Sequence, residues 1–285
     1  MKAPDENMEY YFKFTVLAVA FFFTVHLIVH LLCLKTRVYP NCDFKKQAYF
    51  RTTVVSIFHS CICIVLCTIG LLYICPGDQT VFNSDVCINT VRYIHIWAVI
   101  TSASFFIVDL FTIVFLIQGR TTLDYQTMAH HVVAIVTFYQ TLSFMDFAVV
   151  FGVMLLVVEV STIFMNVRWL LFEHGYGQTT AYAVNAILLF VAFILTRIIY
   201  MPYILILCSG YIYDEYGKKQ VGIYKGIVIT ELVIMVALSM VLNGYWFWLM
   251  CKMICRVVGK ALKKPTDDIE KVELIKADAL KEQQE

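Results

Sequence analysis

The chain has 285 residues, of which 60% are hydrophobic and only 15% charged, with a formal net charge of +1. A soluble globular domain carries roughly 25% charged residues, so this composition excludes an ordinary soluble fold. No basic block interleaved with aromatics stands in a polar segment, which excludes nucleic acid as a partner.

A helix needs about 20 mostly apolar residues to cross the hydrocarbon core. Seven stretches approach or exceed that length: 12–34, 54–75, 93–117, 128–144, 147–172, 181–209 and 222–250. The expected fold is therefore all-α, a polytopic membrane helix bundle of about seven transmembrane helices. The residues before the first stretch are acidic and polar, without the basic start or small-residue cleavage site of a signal peptide, so the first helix is read as retained. Only the short turn at Met145 and Asp146 separates the fourth and fifth stretches. Pro202 predicts a kink or an end in the sixth, because proline lacks the N–H that helix continuation needs. Beyond Lys252 the charges change character. Lys260, Lys263 and Lys264 precede an alternating Glu/Lys run over 267–285, read as a solvated cytoplasmic tail.

Orientation follows the placement of Lys and Arg in short loops. Lys35, Arg37, Lys45, Lys46 and Arg51 follow the first stretch, and Lys252, Arg256, Lys260, Lys263 and Lys264 follow the last. The loop after the second stretch holds only Arg92. With seven spans, the two rich segments share one side, placing the N-terminus lumenal and the C-terminus cytoplasmic; Lys218 and Lys219 are exceptions. Cys75 and Cys87 bracket a polar loop on the lumenal side, where an oxidising compartment favours a disulfide between them. Cys61 and Cys63 lie inside an apolar stretch and read as small buried hydrophobes.

Ionisable groups inside spans are costly and mark either function or buried pairs. Here they are His26, His30, His59, His95, Asp109, His130, His131, Glu159, Arg197 and Glu231, with Asn166, Asn185 and Asn243 beside them. Counting a rise of about 1.5 Å per residue, five spans place polar groups in their cytoplasmic halves, at depths that allow convergence on one site. Glu159, Thr162 and Asn166 fall on one helical face. His130 and His131 point about 100° apart, so only one aims squarely at a given centre. An imidazole oriented by a carboxylate is a general base or an acyl acceptor, and His130, His131 and Asp109 are the candidates for that role. Arg197 and Glu231, on consecutive antiparallel spans, are expected to form a structural ion pair. Nothing in the spacing demands a metal.

Five short segments carry a family resemblance: 102–110 ending near Asp109, Met128-Ala129-His130-His131, the run Glu159-Val160-Ser161-Thr162-Ile163-Phe164-Met165-Asn166-Val167-Arg168-Trp169, Arg197 followed by Met201-Pro202, and His59 after Val54-Val55-Ser56. In these the chain resembles the TLC (TRAM–LAG1–CLN8) domain family over 49–256, and within it the branch of small TLC domain-containing transmembrane proteins (TLCD4-like). The division this implies is an N-terminal segment with the first helix (1–48), a TLC domain (49–256) and a charged tail (257–285). The resemblance implies a core of six helices around a lipid-accommodating interior, in the endoplasmic reticulum or a related membrane. In the ceramide synthase members the paired histidines, here His130 and His131, are functional, and acidic residues on a later span assist. Those enzymes show His-Asp-x-x-Asp-x-x-x-Glu where this chain has Val158-Glu159, Thr162 and Asn166, one carboxylate in place of three.

Three functions remain open on the sequence. The first is membrane lipid homeostasis, the binding, sensing or distribution of phospholipid or sphingolipid, with Glu159, Thr162, Asn166 and His59 contacting the lipid. The second is a ceramide synthase-like acyltransferase with acyl-CoA as co-substrate. The third is a non-catalytic subunit of a larger membrane complex or homo-oligomer. No cofactor is expected.

Overall fold

A computed structural model describes residues 8–73, 75, 79–82, 84–119, 121–144, 147–216, 230, 233–252 and 254–255. Their regular structure is helical, with no strand among the described residues. Six helices are long and apolar enough to cross a membrane: Glu9–Cys33, Phe44–Tyr73, Tyr93–Ile117, Phe147–Glu173, Thr180–Tyr213 and Val233–Lys252. The chain is an all-α multi-pass integral membrane protein. The expected fourth span, 128–144, lies within the helix Thr122–Phe144, which is not among the six. At 23 residues it is about 35 Å long, but Gln126, His130, His131 and Gln140 make it too polar to count as a lipid-spanning segment by composition.

The first 242 residues form one compact unit. Its helices are α1 (Met8–Cys33), α2 (Phe44–Thr68), the single turn α3 (Asp85–Ile88), α4 (Tyr93–Phe111), α5 (Thr122–Phe144), α6 (Phe147–Leu155), α7 (Glu159–Glu173), α8 (Thr180–Phe193) and α9 (Met201–Tyr216). A single 3-10 turn, Leu156–Val158, joins α6 to α7. Helix α2 packs against α1, α4 and α7; α4 also packs against α1 and α5; α7 packs against α8. The interior holds Phe22, Val55, Ile96, Val99, Ile100, Val108, Val149 and Met154. The outer faces present Phe12, Leu17, Leu32, Ile187 and Ile206, apolar side chains that match a lipid surround. Asn243–Glu285 is a second unit, whose described residues continue a helix in which Lys252 lies 5.0 Å above the Trp248 ring.

Local chemistry explains where the helices start and stop. Asp43 caps α2 by accepting the Lys46 N–H at 2.8 Å, and Thr179 caps α8 by accepting the Tyr182 N–H at 3.3 Å. Helix α7 ends in a Schellman motif. Tyr176 N donates to Leu171 O at 2.9 Å and Gly175 N to Phe172 O at 3.0 Å. Gly175 supplies the left-handed backbone this requires, with φ +82°.

Three spans widen into π-turns, Ile69–Tyr73 after α2, Thr112–Ile117 after α4 and Ile194–Tyr200 between α8 and α9. The last one accounts for Pro202. Its ring would clash with the carbonyl of Ile198 in a regular helix, and the wider turn before it lets α8 and α9 run on as one span. The first exposes the Gly70 carbonyl, which accepts from His95 Nε2 at 2.8 Å. His95 Nδ1 in turn accepts the Arg92 N–H at 3.1 Å, so this histidine fastens the start of α4 to the end of α2.

Cys75 and Cys87 are joined by a disulfide, their Cα atoms 5.9 Å apart. Cys63 is buried as expected of a small hydrophobe, whereas Cys61 is exposed on the outer face of α2. Replacing Gly175 by Ala puts a Cβ on a left-handed backbone and should lower stability by about 1 kcal/mol. A reduced thermal midpoint of the purified protein in mild detergent checks this.

Candidate functional site

Asp109 lies in the last turn of α4 and is buried. Its carboxylate gathers donors from two other helices. Thr52 Oγ1, from α2, donates to Oδ1. His131 Nε2, from α5, donates to Oδ2 at 2.6 Å. The His131 ring lies stacked on Phe106, centroids 4.9 Å apart, which holds its plane. Because Nε2 carries the proton toward Asp109, Nδ1 presents a lone pair when the ring is neutral. That Nδ1 is buried and has no hydrogen-bond partner. A carboxylate-oriented imidazole with a free nitrogen is the arrangement of a general base or of a hydrogen-bonding receptor for a polar group.

His130 points elsewhere, as the 100° step requires. It is half-buried, with its ring 6.2 Å from Phe106 and within electrostatic range of Arg197. His59 does not reach Asp109 by hydrogen bond. It is fully buried, stacked on Phe105 at 4.0 Å, and bonded through Nε2 to Ser102 Oγ at 3.3 Å and Cys63 Sγ at 3.1 Å. Its environment is an aromatic core with Phe22 and Phe106 at the ring edges.

Arg197 sits in the π-turn between α8 and α9 and is buried. Its Nε donates to Ser161 Oγ at 2.8 Å and its Nη2 to Thr162 Oγ1 at 3.0 Å, and the guanidinium lies 5.4 Å above the Phe193 ring. It is also within electrostatic range of Glu159. Glu231, the partner expected for it, lies outside the described residues, and the described bonds of Arg197 run to α7. The face Glu159–Thr162–Asn166 is shared between two neighbours. Glu159 accepts from Ser60 Oγ at 3.3 Å and Asn166 Nδ2 donates to Ser56 Oγ at 2.8 Å, both on α2, while Thr162 faces Arg197. Asp109, His131, His130, Arg197 and Glu159 thus form one electrostatically connected region across four elements.

Two further polar clusters escaped sequence reading. Arg51 Nη1 donates to Tyr39 Oη at 2.9 Å, and Tyr39 Oη meets His30 Nδ1 at 2.6 Å, linking α1, its following loop and α2. Tyr39 lies outside the spans. Burial holds its phenol above the ordinary range, partly offset by Arg51, so the phenol is neutral and donates to the imidazole. The second cluster caps α5. Asp124 accepts from Thr121 N at 2.9 Å, from Thr121 Oγ1 at 2.7 Å and from Tyr49 Oη at 3.4 Å. A Cβ at Gly119 would come within 2.6 Å of the Asp124 carboxyl carbon, so a larger residue there requires the Asp124 side chain to shift. Arg51, one residue before Thr52, was the available signal for the first cluster, being a cation three residues before the apolar stretch 54–75. The signal for the second was Thr-Thr-Leu-Asp, an N-terminal cap pattern.

A helix bundle spanning a membrane, with a buried Thr52–Asp109–His131 cluster bridging three of its helices, defines a multi-pass membrane protein with an intramembrane polar site. Residues 49–252 match the model of the TLC domain (TRAM–LAG1–CLN8). The chain belongs to the TLC domain family. No curated protein matches it.

Replacing Asp109 by Leu strands His131 Nε2 and the Thr52 hydroxyl in the interior, at a cost of about 2–4 kcal/mol. Asp109→Asn, whose oxygen still accepts from His131, should cost less than half as much. Unfolding by denaturing detergent from mild-detergent micelles compares the two.

Proposed function

We propose that this TLC domain protein acts in membrane lipid homeostasis, seating the polar end of a membrane lipid at Asp109 and His131. The observation that carries the reading is the buried His131 Nδ1, left without a partner while Nε2 is held by Asp109. Unsatisfied buried polar atoms are rare in folded proteins, and one on a carboxylate-oriented imidazole is an open hydrogen-bonding position. Glu159, Thr162, Asn166 and Arg197 belong to the same region and help to hold α7 beside it. In this reading the chain sits with the small TLC domain-containing transmembrane branch, in the endoplasmic reticulum or a related membrane. Replacing His131 by Ala should change the phospholipid or sphingolipid profile of cells expressing only the variant. A lipidome identical to that of wild-type cells would refute the reading.

A second reading, acyl transfer from acyl-CoA, is favoured by the same dyad. With Asp109 holding Nε2, Nδ1 of His131 is the nitrogen that takes the proton from a lipid amine or hydroxyl. Purified protein incubated with labelled acyl-CoA and a panel of acceptors should then yield acylated product that His131→Ala does not. No turnover with any acceptor would leave the binding reading alone.

The proposed orientation has the N-terminus lumenal and the C-terminus cytoplasmic, supported by the Lys and Arg placement and by the Cys75–Cys87 link, which suits an oxidising compartment. In intact microsomes an added C-terminal tag should be cut by external protease while an N-terminal tag is protected.

A further inference from the structure

His26 lies on α1, before the first residue of the matched domain, yet the packing carries it to the level of the Asp109–His131 pair. Helices α1 and α4 run parallel. Tyr10 meets Tyr93 at 6.3 Å and, three turns on, Phe22 meets Phe105 at 5.6 Å. The spacing is the same in both pairs, and one turn further it sets His26 against Asp109. Helix α2 agrees from the other side. Phe22 touches His59 and His30 touches Arg51, so His26 falls between them opposite Val55, within a turn of Thr52. His26 is 7% exposed, its Nε2 is buried without a hydrogen-bond partner, and it lies within electrostatic range of Asp109. Two imidazoles at one level of the bundle, His26 and His131, therefore each keep an open ring nitrogen near a single carboxylate.

We infer that His26 completes the Asp109–His131 site, and that the site takes the uncharged hydroxyl of a lipid in preference to an anionic phosphate. The inference rests on the lipid-seating reading above and names the ligand chemistry. A hydroxyl offers one proton and two lone pairs, so it can donate to one imidazole and accept from the other. A phosphate would bring negative charge beside the Asp109 carboxylate, and like charges at close range repel strongly in a dry interior. The Arg51 guanidinium, one residue before Thr52, is committed to Tyr39 on the side of His30. His26 also lies before residue 49, where the domain match begins, so α1 contributes to which lipid is held.

Dioleoylglycerol and dioleoyl phosphatidic acid, which share their acyl chains and differ at the head, make the probes. Native mass spectrometry of the full chain in mild detergent reads their retention, with the thermal midpoint recorded for every variant. Wild type should hold dioleoylglycerol at least tenfold more tightly than phosphatidic acid. His26→Phe should lose that tenfold, and His26→Gln, which restores a donor and an acceptor, should recover part of it. Equal or tighter binding of phosphatidic acid overturns the ligand class. Dioleoylglycerol binding that survives His26→Phe but falls with His131→Phe removes His26 from the site and leaves the lipid-seating reading standing. Binding that is absent in wild type, or unchanged in both variants, overturns that reading as well. If His26→Phe does not fold, His26→Gln with wild-type dioleoylglycerol and phosphatidic acid binding decides between the same outcomes.

Discussion

The Asp109 carboxylate is the point on which the bundle turns. Inside a bilayer there is no hydrophobic gain from bringing one apolar helix against another, so packing and hydrogen bonds must choose the neighbours. A buried carboxylate is expensive unless its oxygens are matched. Here both are, by Thr52 from α2 and His131 from α5. One residue thereby sets three helices. The step from Thr52 to His59 along α2 equals the step from Asp109 back to Ser102 along α4, and both pairs are bonded. The antiparallel register of α2 and α4 is therefore pinned twice, a helical turn or two apart.

The remaining helices attach to this frame by different chemistry. Aromatic contacts dominate between α1 and α4, from Tyr10 and Tyr93 to Phe22 and Phe105. A guanidinium holds the α8–α9 span to α7. In the π-turn at Arg197 the helix is widened, and the side chain satisfies two hydroxyls of α7 and sits within range of Glu159. Polar residues in this protein are thus mostly consumed by helix-to-helix bonds. That makes the few imidazole nitrogens left over, on His26, His59 and His131, more informative than the total number of histidines in the spans.

Several expectations could be read directly because they depend on local sequence. Hydropathy located the spans to within a few residues at 93–117 and 147–172, since apolar length is a one-dimensional property. It set 128–144 apart as its own stretch but missed the first residues of α5, from Thr122, where polar residues lower the apolarity of a helix still long enough to cross. Helical phase anticipated that His130 and His131 diverge, and they do, with only His131 on Asp109. The same phase argument put Glu159, Thr162 and Asn166 on one face but could not say that two neighbouring helices divide that face between them.

By itself, then, the sequence determined the class: an all-α membrane protein, its spans, its charged ends and the TLC domain written into short motifs around His131, Glu159 and Arg197. These follow from composition and from periodicity along a single helix. Partnership was decided only by tertiary structure. Thr52 meets Asp109, Arg197 reaches Ser161 and Thr162, Tyr39 relays Arg51 to His30, and His26, on α1 before the matched residues, comes within electrostatic range of Asp109. The physical reason is that a helix's rotation and sliding against its neighbours are set by the sum of many packing and hydrogen-bond terms spread over several helices, and no window of one strand of sequence contains that sum.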